Sequence, residues 1–227
     1  MHEQRHVLTR CPKLSVLSGL QVSSEALKAV RRHPPFTGTL VLGNLRSSVQ
    51  ALKNKLPGTA KVRVAPAASA TFLAEFFLQF PLLTAIEFEV ECGSTAQRPF
   101  HTVIPSLSML KSLSSLSLNF DFTFQQITHL AGALPGIEEL FLHLSAEPPF
   151  PLWEALAKMP GLRRLRFGLE SREIDSCLSS LLDLLRAVRM FPALEKLEVP
   201  AAVIRSTRFS EERSQFHVVR PRLRLDC

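Results

Sequence analysis

The spacing of apolar residues along this chain switches between two periods. Short bursts of alternation, such as Leu140-x-Leu142 in GALPGIEELFLHL (132–144), are followed by longer stretches in which apolar residues recur every three or four positions. A period of two marks a strand with one buried face, and a period near 3.6 marks an amphipathic helix. The burst returns in one register five times: Leu83-x-x-Ile86-x-Phe88, Leu113-x-x-Leu116-x-Leu118, Ile137-x-x-Leu140-x-Leu142, Leu162-x-x-Leu165-x-Phe167 and Leu194-x-x-Leu197-x-Val199. Weaker copies are LSVLSGL (14–20), TGTLVL (37–42), TAKVRV (59–64) and a partial RLRLDC (222–227).

Between the bursts, SSEALKAVRR (23–32), RSSVQALKNKL (46–56), ASATFLAEFFLQF (68–80), FQQITHLAGAL (124–134), PLWEALAKM (151–159) and IDSCLSSLLDLLRAVRM (174–190) carry helical stripes. Ser23 or Ser24, Thr123 and Asp175 are expected N-caps. An apolar-Pro mark separates each stripe from the next burst, at Pro12, Pro35, Pro57, Pro81, Pro135, Pro160 and Pro192, with Lys111 in the vacant slot. Proline cannot continue a helix and holds the preceding residue extended, so each mark is expected to stop a helix and launch a strand. The intervals are 23, 22, 24, 30, 24, 25 and 32 residues, a repeat of solenoid length.

Strand and helix alternation also describes a doubly wound α/β domain, but that fold covers both sheet faces and needs nearly continuous apolar strands. Here the alternate positions are Glu87, Glu89, Ser115, Ser117, Glu139, Arg164, Arg166, Lys196 and Glu198, so one face is expected to be wet. No glycine-rich phosphate loop is present. The expected fold is α/β: a solenoid with a parallel sheet on the concave face and helices on the convex face, in about eight to nine irregular repeats forming one domain over 1–227.

These residues resemble the leucine-rich repeat family. LTRCPKLSVLSGL (8–20) is similar to the cysteine-containing repeats of F-box-type leucine-rich repeat proteins, and LPGIEELFLHL and MPGLRRLRFGL resemble their irregular relatives. The resemblance implies a horseshoe that recruits or scaffolds other proteins in the cytoplasm or nucleus. The asparagine or cysteine that the family places three residues past the last strand leucine is replaced here by Glu91, Asp121, Ser145, Glu170 and Ala202, which implies uneven coils. The pattern starts inside a repeat and runs to the final residues, so both ends are expected to lack polar caps, as in a fragment or an array covered by a partner.

Composition narrows the function. The 46% apolar content calls for a folded core, and FLAEFFLQFPLL (72–83), the most apolar stretch, is far too short for a membrane span. The polar opening MHEQRHVLTRCPK is unlike a secretory signal, and Cys11, Cys92, Cys177 and Cys227 are too scattered for a zinc or disulfide framework. Neither metal nor other cofactor is expected. The net charge of +7 is segregated: +8 over 1–85, −5 over 86–161 and +4 over 162–227. No H-E-x-x-H, G-x-S-x-G or oriented Cys-His pair occurs, so no catalytic residue is assigned and the chain is not expected to be an enzyme.

The candidate binding residues are the solvent-facing strand positions: Glu87, Glu89, Ser115, Ser117, Asn119, Glu139, Phe141, His143, Arg164, Arg166, Lys196 and Glu198. In a parallel sheet they would form ladders able to read a protein or peptide. Phe141 reads either as an exposed interface anchor or as a ring covered by a neighbouring coil. Arg163, Arg164 and Arg166 either grip an acidic peptide or neutralise Glu138, Glu139 and Glu170. Trp153 is expected to pack beneath its helix. The alternative function is nucleic-acid binding through Lys53, Lys55, Lys61, Arg63, Arg220, Arg222 and Arg224, against which the acidic middle counts.

Overall fold

The computed structural model describes residues 16–17, 39–42, 61–64, 70–89, 100–119, 122–144, 151–169, 183, 188–199 and 224–226. The chain divides into two compact units, Met1–Leu113 and Ser114–Cys227. The first holds strands β1 (Val16–Leu17), β2 (Thr39–Leu42), β3 (Lys61–Val64) and β4 (Ala85–Phe88), with helices α1 (Ala70–Gln79) and α2 (Phe100–Leu107). The second holds β5 (Ser115–Leu118), α3 (Phe124–Ala133), β6 (Glu139–Leu144), α4 (Pro151–Ala157), β7 (Arg164–Leu169), a 3-10 turn at Val188–Met190, β8 (Lys196–Glu198) and β9 (Arg224–Asp226).

Within each unit the strands pair in parallel and in sequence order, β1 to β4 in the first and β5 to β9 in the second. Parallel strands need a crossover that returns the chain to the same end of the sheet. In the second unit α3 and α4 supply it between β5 and β6 and between β6 and β7.

The apolar-Pro mark resolves into a specific turn. Backbone hydrogen bonds run from Leu83 N to Phe80 O, Leu113 N to Leu110 O, Ile137 N to Leu134 O, Leu162 N to Met159 O and Leu194 N to Phe191 O, at 3.0–3.3 Å. Each closes a four-residue β-turn whose second residue is Pro81, Lys111, Pro135, Pro160 or Pro192. Proline's fixed φ suits that position, which is why it recurs there. The strand starts two residues beyond the turn, so proline launches the strand at one remove. Both outer residues of every turn are buried, Phe80 with Leu83 and Met159 with Leu162 among them, so each turn pins its coil to the core at two points.

The turns fix the strand register. Leu116, Leu140, Leu165 and Leu197 are paired neighbours in one row, and all are buried. Leu118, Leu142 and Phe167 form the second apolar row. Against this face lie Ile127, Leu130 and Ala131 of α3 and Leu152, Trp153, Ala155 and Leu156 of α4. The Trp153 ring meets Phe167 edge-on at 5.6 Å, tying helix to strand. The expected packing of Trp153 beneath its helix is therefore seen, and the opposite face of β5–β8 carries polar and half-exposed positions. Among the described residues no helix covers that opposite face, unlike a doubly wound sheet. In the first unit Val62, Val64, Ile86 and Phe88 form the corresponding buried face, with Leu73, Phe76 and Phe77 of α1 in the core. Phe76 stacks on Phe80 at 4.2 Å between ring centroids.

Thr123 caps α3 as expected. Its hydroxyl accepts from the Gln126 N–H at 3.3 Å, and the Gln126 amide oxygen accepts from the Thr123 N–H at 2.7 Å, a reciprocal capping box. Helix α2 was not among the expected stripes; Val103, Ile104 and Leu107 are buried along it although Pro105 lies inside it. The stripes at 23–32 and 46–56, the caps at Ser23, Ser24 and Asp175, and the loop positions Glu91, Asp121, Ser145, Glu170 and Ala202 lie outside the described residues. Of the stripe at 174–190 only Asp183, which is helical, and the 3-10 turn fall within them.

Candidate functional site

In the first unit Glu87 lies on β4 and Glu89 just beyond it, and the neighbouring strand sets Arg63 directly beside Glu87. Arg63 Nε lies 3.1 Å from Glu87 Oε2 and 3.3 Å from Glu89 Oε1. One guanidinium thus draws both carboxylates together. The sequence did not single out this pairing, because β3 is a weak copy of the repeat. Counting the register at TAKVRV would have found it.

In the second unit the strand register sorts the other ten candidates. The first row runs Ser115, Glu139, Arg164, Lys196, and the second runs Ser117, Phe141, Arg166, Glu198. By backbone register β9 extends these rows with Arg224 and Asp226. His143 is paired with Gly168 in a third row, and Asn119 lies one residue past β5. Of the twelve candidates, two lie in the first unit and ten in the second.

The rows are tightened by backbone geometry at the strand entrances. Ser114 O accepts from both Glu138 N and Glu139 N, Glu138 O from Arg163 N and Arg164 N, and Arg163 O from Glu195 N and Lys196 N, all at 2.8–2.9 Å. One carbonyl taking two successive donors repeats from strand to strand. It fixes the side chains at 139, 164 and 196 in step with each other.

The charges on this face are largely matched. Arg164 Nη1 donates to Glu139 Oε1 at 2.8 Å, Arg163 Nη1 lies 3.7 Å from Glu195 Oε1, and Arg166 Nε lies 3.4 Å from Glu198 Oε2. Lys196 Nζ approaches Glu198 Oε1 at 2.7 Å. Of the acids named in the neutralising reading, Glu139 holds that role, Glu170 lies outside the described residues, and β8, beside β7, supplies Glu195 and Glu198. The pairs are solvent-exposed, with Arg164 and Arg166 side chains 60% and 64% accessible, so each adds at most about 1 kcal/mol to stability.

Phe141 is half-buried, with residues of the neighbouring strand β7 against its ring. The Arg166 guanidinium carbon sits 5.1 Å from its ring centroid, a cation–π contact. Gly168 lies beneath: a methyl group there would come within 2.9 Å of Phe141 Cζ and 3.1 Å of His143 Nδ1. The missing side chain of Gly168 is what lets the ring lie down on the sheet. A glycine in a strand is a sequence signal for close approach, and here it marks the seat of the aromatic. His129 is exposed on α3, Cys92 lies outside the described residues, and no cluster of three or more His, Cys, Asp or Glu suited to a metal occurs among the described residues.

No family model matches this chain, and no curated protein matches it. Twenty-nine chains of solved structures do. One belongs to the crystal structure of a TLR13–ssRNA13 complex: it is 17% identical over 74% of this chain, with a TM-score of 0.42. This chain spans 22% of that one's length. No helix among the described residues is long and apolar enough to cross a membrane.

Proposed function

We propose that this chain is a non-catalytic interaction module of the leucine-rich repeat type, arranged as a solenoid, which takes up a protein or peptide on the open face of its parallel sheet. One observation carries the reading: nine candidate side chains of the second unit stand in in-register rows on the sheet face that the described helices leave uncovered. Buried leucines on the reverse face hold that array rigid, which lowers the ordering cost of binding. Its mixture of one aromatic, matched charges and serines fits a protein surface, where an aromatic anchor surrounded by polar contacts dominates affinity. The setting we infer is recruitment or scaffolding in the cytoplasm or nucleus.

The test is crosslinking and capture with the full chain, followed by the paired substitutions Phe141→Ala and Arg164→Glu. Both side chains lie on the open face, so circular dichroism should be unchanged while the captured partner is lost. A control substitution, Glu154→Lys on exposed α4, should retain it. Equal loss from the helical control, or full retention by the paired variant, would place binding elsewhere on the molecule.

A further inference from the structure

The three arginines of β7 and its entrance are not equivalent. Arg163 and Arg164 spend a terminal nitrogen on Glu195 and Glu139, whereas the closest contact of Arg166 to a carboxylate is made by Nε, 3.4 Å from Glu198 Oε2. The other flank of Arg166 rests on the Phe141 ring at 5.1 Å. Its side chain is thus braced on both sides along one row, is 64% exposed, and has no hydrogen bond to its two Nη groups among the described residues. Glu198 is shared with Lys196 at 2.7 Å, so two cations face this one carboxylate.

A planar fork with a braced stem and tips that engage no other described residue is the geometry that takes a carboxylate in two parallel hydrogen bonds. We propose that Arg166 is the receptor for an Asp or Glu carboxylate of a partner protein segment, with the adjoining apolar side chain of that segment packed on Phe141. The inference rests on the reading that the open face binds a protein or peptide, and names the chemistry it recognises. Glu139 and Glu198 flank the fork on the same face, so a lone carboxylate beside an apolar residue fits, whereas a run of phosphates would meet repulsion.

The experiment selects random peptides displayed on phage against the full chain, then titrates a selected peptide, made synthetically, with wild type and variants. The expected selection is enriched in Asp or Glu beside a large apolar residue. Arg166→Gln should weaken binding about tenfold or more. Arg166→Lys, which keeps the charge but loses the fork, should fall close to the Gln variant, and Phe141→Leu should lose several-fold. Selected peptides that lack a carboxylate, affinity that survives Arg166→Gln, or Arg166-dependent binding of single-stranded RNA would each overturn the proposal. Peptides lost on Arg164→Glu yet indifferent to Arg166→Gln would overturn it alone. A failure to select any peptide sensitive to an open-face substitution would overturn the broader reading as well.

Discussion

Placing a methyl group at residue 168 tests the idea that Phe141 is seated by an absence. Away from steric conflict, Gly→Ala in a strand stabilises by about 0.4–1 kcal/mol, because the unfolded chain has less freedom to lose. Here the new carbon would stand 2.9 Å from Phe141 Cζ. Carbon atoms pack comfortably at about 3.5–4.0 Å, so the ring has to retreat by roughly 0.6–1.1 Å. Retreat disturbs the stack on Arg166, a contact of about 0.5–1 kcal/mol at an exposed site, and returns part of the ring to water at about 25 cal/mol per Å² of apolar surface. The two losses together match or exceed the gain. Gly168→Ala in wild type is therefore expected to be neutral to destabilising by about 1 kcal/mol. In a Phe141→Ala background the obstacle is gone and only the flexible His143 remains nearby, so the same substitution should stabilise by about 0.4–1 kcal/mol. Urea denaturation of the four chains gives the cycle, with an expected coupling of about 0.4–2 kcal/mol. If Gly168→Ala acts alike in both backgrounds, the ring is not seated by Gly168 and the reasoning fails.

Other substitutions probe the frame. Thr123→Ala removes a reciprocal cap from α3 and should cost about 1 kcal/mol, read as a lower thermal midpoint with the fold retained. Trp153 is fully buried and its Nε1 has no hydrogen-bond partner among the described residues. Trp153→Phe, which sheds that donor while filling much of the space, should therefore lose far less stability than Trp153→Ala, for which about 3–5 kcal/mol is expected by denaturant titration. Leu165→Ala should cost about 2–5 kcal/mol, against about 0.5 kcal/mol or less for Ser117→Ala across the same sheet. Lys111→Pro would bring the one turn without proline among the five described into line with the others, but the Lys111 N–H donates to Met109 O at 3.1 Å. Losing that bond offsets proline's entropic gain, so the midpoint should barely move; a full gain of about 1 kcal/mol would show the bond to be without consequence.

The sequence by itself determined the periodic elements. Leu140, Leu165 and Leu197 sit on the buried face because strand side chains alternate with a period of two, and Pro135, Pro160 and Pro192 mark turns because a fixed φ is a property of the residue. Both signals are local and survive without knowledge of neighbours. Helix α2 was absent from that reading: it forms around Pro105, whose local penalty against helix is overridden by burying Val103, Ile104 and Leu107. Tertiary structure alone decided the partners. That Arg166 rests on Phe141 and faces Glu198, that Arg63 gathers Glu87 and Glu89, and that Gly168 makes room for a ring depend on which strands lie side by side and in what register. Residues 24 to 32 positions apart meet only because successive strands lie side by side in register, and the one-dimensional pattern carries the strands without carrying the contacts between them.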